Sequence, residues 1–469
     1  MDATTNNKPG YTYQAVYRYL LDRIEAAPGD VEQRLPSLRQ LAQRLGVSVS
    51  STKYAYSLLE DQGRVYARPK LGYFTRVSAH SPPAERLSSL LDTVFASARQ
   101  PGMLALSSDA PAMLLSLEQP LLMIERELAR QYPRSPTPLY QPFGEPELRS
   151  VLADRYTRPA QRYWQAEHVF IGADLRSVLE LSLRALGLEG EVALVESPCN
   201  WAVLRQLQAA RMTIIEMPLG EDGRFDLPQL QQVLSTAPVR LAVLSSATNV
   251  PQGGVMPAAD KQQICAWLAE GDVWLFENDG YGELCFDDSV PRYRDYADPD
   301  RLLVFATFDK VMGAEAPYGY LLCQRHTEPL QRLFLERAFR LSPIRQKAIA
   351  KLFTSRRVEQ HVRKLRATLH ARMQHLQALL EAHGQGCLRI VAAQGGAGLW
   401  LEATRPVDMR RVFERLLAQR IVIAPGEIFS LRGLWRSHLR LSYTLDWRKD
   451  IPQALQQLVK AIQAEAQTP

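Results

Sequence analysis

Six short apolar runs punctuate the middle of the chain: HVFIGA (168–173), EVALVES (191–197), MTIIEMP (212–218), RLAVLSS (240–246), DVWLFEND (272–279) and RLLVFATF (301–308). Helical segments separate them. Near-continuous Val, Ile, Leu and Phe over that length needs cover on both faces, so the alternation predicts a mostly parallel sheet in an α/β body. Residues 385–465 read differently, as strands (LRIVAA, GLWLEA, RIVIAP, HLRLSY) mixed with helices, which predicts a smaller α+β unit. No internal repeat is visible.

The first 77 residues have another character. Val16, Leu20 and Ile24 lie at helical spacing within 11–26, and Pro28-Gly29 ends that segment. A second helix opens at Ser37 after Pro36, carries Leu38, Leu41, Ala42 and Leu45 on one face, and stops at Gly46. A third runs from about Val49 to Gln62. Two strands, 64–67 and 73–77, flank a basic tip that includes Lys70 and the permissive Gly72. Three helices and a β-wing make a winged helix-turn-helix over 11–77. SAHSPPAERLSS (78–89) has linker composition, and 78–104 is expected to join this head to a body spanning 105–465. That body divides into a large part, about 135–340, and a small one, about 341–465.

Charge supports the division. The net charge is +6, and the stretch through Val77 holds eleven basic against seven acidic residues, so most of the excess sits in the head. A basic module on a near-neutral body suits a polyanionic partner. In a helix-turn-helix the second helix of the pair enters the major groove with its N-terminal residues on base edges. The expected DNA-facing set is Ser37, Arg39, Ser48, Ser50, Ser51, Thr52, Lys53, Lys70 and Gly72. Small hydroxyls permit close approach, and the cations suit phosphate or guanine. The helical segment 342–383 is also rich in Arg and Lys. It reads as a solvated face, or as an auxiliary track for bent DNA.

Cys199, Cys265, Cys285, Cys323 and Cys387 show no CxxC pair and no metal spacing, which predicts reduced thiols and no metal site. No stretch approaches a membrane span. A soluble, cytoplasmic protein is expected.

The head resembles the GntR family of bacterial regulators through Leu35-Pro36-Ser37, Arg39, Leu41-Ala42, Leu45, Val47-Ser48, Ala55-Tyr56, Leu59, Gly63 and Gly72. One departure is Val49, where the family often carries arginine. The body resembles fold-type I aminotransferases over about 105–465. The supporting strings include Pro251-Gln-Gly253, the segment Glu277-Asn-Asp-Gly-Tyr281-Gly-Glu-Leu284, Lys310 in FATFDKVMGAEAPYGYLL, and Leu439-Arg440-Leu441. Together the halves resemble the MocR subfamily. That resemblance implies a homodimer, head to tail, acting on double-stranded operator DNA under control of a small-molecule effector.

It also implies a pyridoxal 5′-phosphate site. Lys310 takes the Schiff-base position, Thr307 a phosphate-binding hydroxyl, and Arg440 the arginine that grips a substrate carboxylate. Tyr281 falls at a ring-side position, and the stacking aromatic is either Trp201 or absent, since Asn200 fills the commoner aromatic position. Three places depart from the pattern. Pro317 stands where the phosphate arginine belongs, Asp174 where a glycine opens the phosphate turn (with Arg176 placed to offset it), and Asn278 where a carboxylate meets the pyridine nitrogen. Val250 fills the position of the asparagine that meets the ring hydroxyl, with Asn249 one step away. The expectation is a regulator whose body senses an amino acid, another carboxylate or a vitamin B6-type ligand, without turnover. The alternative is a working aminotransferase fused to a DNA-binding head.

Overall fold

The computed structural model describes residues 16–17, 19–20, 23, 33–61, 65–68, 72–75, 89–131, 140–157, 163–391 and 393–467. They form two units, 1–89 and 90–469.

In the first unit, helix Leu38–Leu45 starts from a capping box in which the Ser37 side chain accepts from the Gln40 N–H and Gln40 reaches back to Ser37. It ends at Gly46 in the left-handed region (φ 63°), a conformation without cost for glycine. Helix Val49–Asp61 follows, then an antiparallel hairpin of β1 (Val65–Arg68) and β2 (Gly72–Thr75). Val16, Leu20, Leu35, Leu41, Ala55, Tyr56, Leu59 and Val65 make its core. The Tyr56 hydroxyl donates to the Pro36 carbonyl (2.6 Å) and ties the third helix to the turn before the second. Lys70 and the segment 78–88 lie outside the described residues.

The second unit opens with helix Leu90–Ala98, inside the span 78–104 expected to be linker. Leu91 and Val94 are buried, and Phe95 packs on Trp201, so three apolar residues at helical spacing fix this stretch to the body. β3 (Leu104–Ala105) follows. The central sheet consists of β4 (Val169–Gly172), β5 (Val192–Ser197), β6 (Thr213–Pro218), β7 (Val239–Ser245), β8 (Trp274–Asn278), β9 (Leu302–Thr307) and β10 (Gly319–Leu322). Its order is β4-β10-β9-β8-β7-β5-β6, with only β10 antiparallel to its neighbours. Helices cover both faces, as the buried apolar strands require. A four-stranded sheet of β11 (Leu388–Val391), β12 (Gly398–Ala403), β15 (His438–Ser442) and β14 (Ala424–Pro425) forms the small part. β13 (Ile421–Val422) pairs in parallel with β3, so the chain just after helix Leu90–Ala98 is stitched to the C-terminal part. Among the described residues, no helix is long and apolar enough to cross a membrane, and no group of three or more metal-ligating side chains converges.

Candidate functional site

Lys310 lies in the short helix Asp309–Met312 that follows β9, and Arg440 on β15. The fold brings both to one residue, Asp109. Arg440 Nη2 donates to Asp109 Oδ1 (2.8 Å), while Arg440 Nη1 reaches the Ser108 carbonyl (3.2 Å). Lys310 Nζ donates to the Asp109 main-chain carbonyl (3.0 Å), lies 3.9 Å from Asp109 Oδ2 and sits 3.4 Å from Asp309 Oδ2. The Tyr281 hydroxyl donates to Asp109 Oδ1, and the Lys310 ammonium is 5.7 Å from the Tyr281 ring centre. Burial would raise the Asp109 carboxyl, but Arg440 and Lys310 outweigh it and hold the group below the usual carboxylate range. Burial would lower the Lys310 ammonium, and Asp109 and Asp309 reverse this and raise it. The lysine is therefore an ion-pair partner here, not a free amine. Asp109 was missed in the sequence, where 105–135 offers no motif; its only signal is the polar SSD triplet ahead of Ala110-Pro111.

The end of β8 sorts its side chains by alternation. Glu277 and Asp279 face Arg294, at 2.8 and 3.3 Å, and the Tyr156 hydroxyl donates to Asp279 Oδ2 (2.6 Å). Burial pushes the Asp279 carboxyl up, and Arg294 and Arg292 bring it below its ordinary value. Asn278 lies between them on the opposite side, its Oδ1 accepting from the Gly280 N–H (3.1 Å). Asn249 is committed to its own turn, accepting from Gln252 N–H (3.1 Å) and donating to the Pro198 carbonyl (3.3 Å).

Thr307, Gly319 and the start of helix Leu175–Ala185 meet at one edge of the sheet. Gly319 pairs with both Thr307 and Gly172. A Cβ on Gly319 would fall 2.4 Å from the Asp174 carbonyl, so only glycine lets β10 back onto this helix N-terminus. The helix is capped by Asp174, whose Oδ1 accepts from Ser177 N–H (2.7 Å). The Thr307 hydroxyl lies 2.6 Å from Asp309 Oδ1 and 3.3 Å from the Tyr318 carbonyl. Pro317 is exposed. Arg176 and Trp201 come together, with the guanidinium 5.2 Å from the indole centre and Phe95 at 4.4 Å from it. Asn200 caps helix Trp201–Ala209.

In the first unit, Val49, Ser50, Lys53 and Tyr54 are exposed on one side of helix Val49–Asp61, and Thr52, Ala55, Tyr56 and Leu59 are buried on the other. Arg39 and Ser37 are exposed on the preceding helix and its cap, and Gly72 opens β2. Thr52 is a correction. The helical period turns it into the core, where its hydroxyl donates to the Ser48 carbonyl (3.1 Å), so it cannot join the DNA-facing set. Ser48 Oγ accepts from Ser51 N–H (3.0 Å) and lies 2.8 Å from the hydroxyls of both Ser50 and Ser51, a local cap. Tyr54, on the exposed face beside Lys53, was passed over in the sequence. Within 342–383, Arg345 pairs with Glu125 and Glu315, Lys347 with Glu147 and Glu145, and Arg366 with Asp288.

Comparisons with known proteins agree with this architecture. Residues 111–458 match the model described as "Aminotransferase class I and II", and residues 12–74 that described as "Bacterial regulatory proteins, gntR family". The chain belongs to the class I and II aminotransferase family, a pyridoxal-phosphate-binding family. It carries that domain behind a GntR head, and is a DNA-binding regulator of the kind grouped as MocR. It is 29% identical to the uncharacterized HTH-type transcriptional regulator YdcR of Escherichia coli, over 96% of this chain and 99% of that one. It is 28% identical to the HTH-type pyridoxine biosynthesis transcriptional regulator PdxR of Corynebacterium glutamicum, over 65% of this chain and 64% of that one. In structure it resembles the Pyrococcus horikoshii kynurenine aminotransferase, with TM-score 0.72 and 17% identity, covering 83% of this chain and 98% of that one.

Proposed function

We propose that this DNA-binding regulator uses its aminotransferase-like body to sense a small carboxylate, amino acid or vitamin B6-type ligand at Arg440 and Lys310, without turning it over. The residues present do not fit a tightly held catalytic pyridoxal phosphate. The observation that carries this is the pair Asn278 and Asp279. The Asp279 carboxylate is held by Arg294 (3.3 Å) and Tyr156, and the side chain at the family's ring-nitrogen position is an amide. An amide cannot stabilise a pyridinium by charge, so the ring would not serve as an electron sink. The phosphate end agrees, because the Asp174 carboxylate already takes the Ser177 N–H of the helix N-terminus and Pro317 donates nothing.

Arg440 supports carboxylate binding. It is buried on a β-strand with its guanidinium already on a carboxylate, the partner its planar fork fits. PdxR, named for pyridoxine biosynthesis, supports keeping B6 vitamers among the ligands. The exposed row Ser50, Lys53 and Tyr54, with Arg39, is the surface proposed to meet operator DNA, and two heads in a homodimer would read two half-sites.

The test has two arms. Added pyridoxal phosphate should give no keto-acid release from amino acids, whether or not borohydride fixes an adduct at Lys310. A duplex from the region upstream of its own gene should be retained at low salt, with retention changed by the ligand. Stoichiometric adduct with steady turnover would sink the sensing assignment.

A further inference from the structure

Asp109 is a residue that no motif accounts for, and it fills the site just described. Its carboxylate takes the Arg440 guanidinium and the Tyr281 hydroxyl, and its main-chain carbonyl takes the Lys310 ammonium. Arg440 also holds the Ser108 carbonyl. Three donors from three separate elements are thus satisfied by one short stretch of the chain itself. Gly398 makes room for this, since a Cβ there would fall 2.7 Å from Arg440 Nε.

We propose that Asp109 is a built-in stand-in for the ligand, and that the ligand is a four-carbon acid with a second acceptor oxygen on its far carbon. The inference rests on the proposed carboxylate sensing at Arg440 and deepens it. The chemistry is read from the stand-in. In aspartate the carboxylate carbon and the main-chain carbonyl carbon are joined through two carbons. The spacing between the group on Arg440 and the oxygen on Lys310 is therefore that of a 1,4-dicarboxylate or a 4-oxo acid. Such a molecule offers both groups at once, and the donors would exchange one carboxylate for another without being left unpaired. A three-carbon diacid is too short to meet both donors in one pose, and a five-carbon diacid must fold to do so.

The same stretch is anchored at both ends. The Ser442 N–H donates to the Leu106 carbonyl (2.7 Å) on the small part, and the Leu117 N–H to the Met312 carbonyl (2.9 Å) beside the lysine. Displacing Asp109 frees the middle of a strap that links the two parts of the body. In sequence that strap leads back through β3 to helix Leu90–Ala98 and the DNA-binding head. An internal competitor of this kind multiplies apparent affinity by the fraction of time it leaves the site free.

The experiment is calorimetric titration of the full-length wild type, Asp109→Asn and Asp109→Ala with malonate, succinate and glutarate. Succinate should bind tightest of the three in every protein. Its affinity should rise at least tenfold from wild type to Asp109→Ala, with Asp109→Asn between, and Arg440→Gln should abolish it. Equal or weaker succinate binding by both Asp109 variants, or no preference for chain length, overturns the stand-in. If Arg440→Gln then still removes binding of some amino acid or carboxylate by the wild type, sensing at Arg440 survives that failure. If no carboxylate or amino acid binds any of the proteins, sensing at Arg440 fails and the stand-in with it. Hydrogen exchange on the wild type gives a measurement independent of variant folding. Succinate should speed exchange of amides in 106–117, and unchanged or slower exchange there counts against displacement.

Discussion

Arg294 Nη1 lies 3.3 Å from Asp279 Oδ1, and this ion pair turns the Asp279 carboxylate away from the side of the strand end that Asn278 occupies. The two residues are neighbours in sequence, yet strand alternation and one buried arginine give them opposite duties. Asp279 belongs to a buried network with Arg294, Glu277 and Tyr156, whereas Asn278 Oδ1 accepts from the Gly280 N–H. Asn278→Asp should therefore restore the missing charge without disturbing the network. Charge-assisted hydrogen bonds are about twice as strong as neutral ones, so pyridoxal-phosphate affinity should rise about tenfold. Fluorescence quenching by the cofactor measures it, and unchanged affinity would show that residue 278 does not meet the ring.

The phosphate end gives a second prediction. Asp174→Ser keeps a good N-cap, so stability should change by less than about 0.5 kcal/mol, while the carboxylate that repels an incoming phosphate is removed. At about 5 Å and an effective dielectric near 20 that repulsion is worth roughly 3 kcal/mol. Pro317→Arg adds a charge-assisted bond of about 1.5–3 kcal/mol. Each change should tighten pyridoxal-phosphate binding by at least about tenfold in equilibrium dialysis. No gain from either would mean that the phosphate lies elsewhere.

Much of this was legible in the sequence because local rules and global fold agree. Ser37 and Gly46 mark their helix ends by cap chemistry, the six apolar runs become strands of one sheet, and Lys310 and Arg440 end at a common site. The failures have physical causes. Asp109 makes its contacts with residues 172, 201 and 331 positions away, and no local pattern encodes such a meeting. Thr52 sits among hydroxyls that look alike in sequence, and only the phase of the helix separates it from Ser50. The stretch after residue 89 reads as helical patches, but its place in the body was not legible, because Leu91, Val94 and Phe95 pack on residues far away in sequence.

Glu196 is buried at the end of β5, where Ser245 donates to it from both backbone (3.3 Å) and side chain. Burial pushes its carboxyl up to about 6. A raised carboxyl favours the protonated form in the folded state, so its stabilising contribution is full below the unfolded value near 4.5. That contribution is lost as pH rises through about 6. The loss is about 2 kcal/mol at 1.36 kcal/mol per unit. Glu196→Gln should erase this slope, unfolding at the same denaturant concentration as wild type at pH 4 and at a higher one at pH 7.5. Parallel curves for the two proteins across that range would show that the carboxylate is stabilised by its neighbours instead.

The two faces of helix Val49–Asp61 make opposite predictions for adjacent residues. Lys53 is exposed beside Ser50 and Tyr54, so Lys53→Ala should weaken binding to specific and random duplexes alike. Its plot of log affinity against log salt should lose about one unit of slope, the share of one phosphate contact. Thr52 is buried and bonded to the Ser48 carbonyl, so Thr52→Ala should cost about 1 kcal/mol of head stability and leave the salt slope untouched. Fluorescence anisotropy at several salt concentrations separates the two. A changed slope for Thr52→Ala, or an unchanged one for Lys53→Ala, would mean that another face of the head meets the DNA.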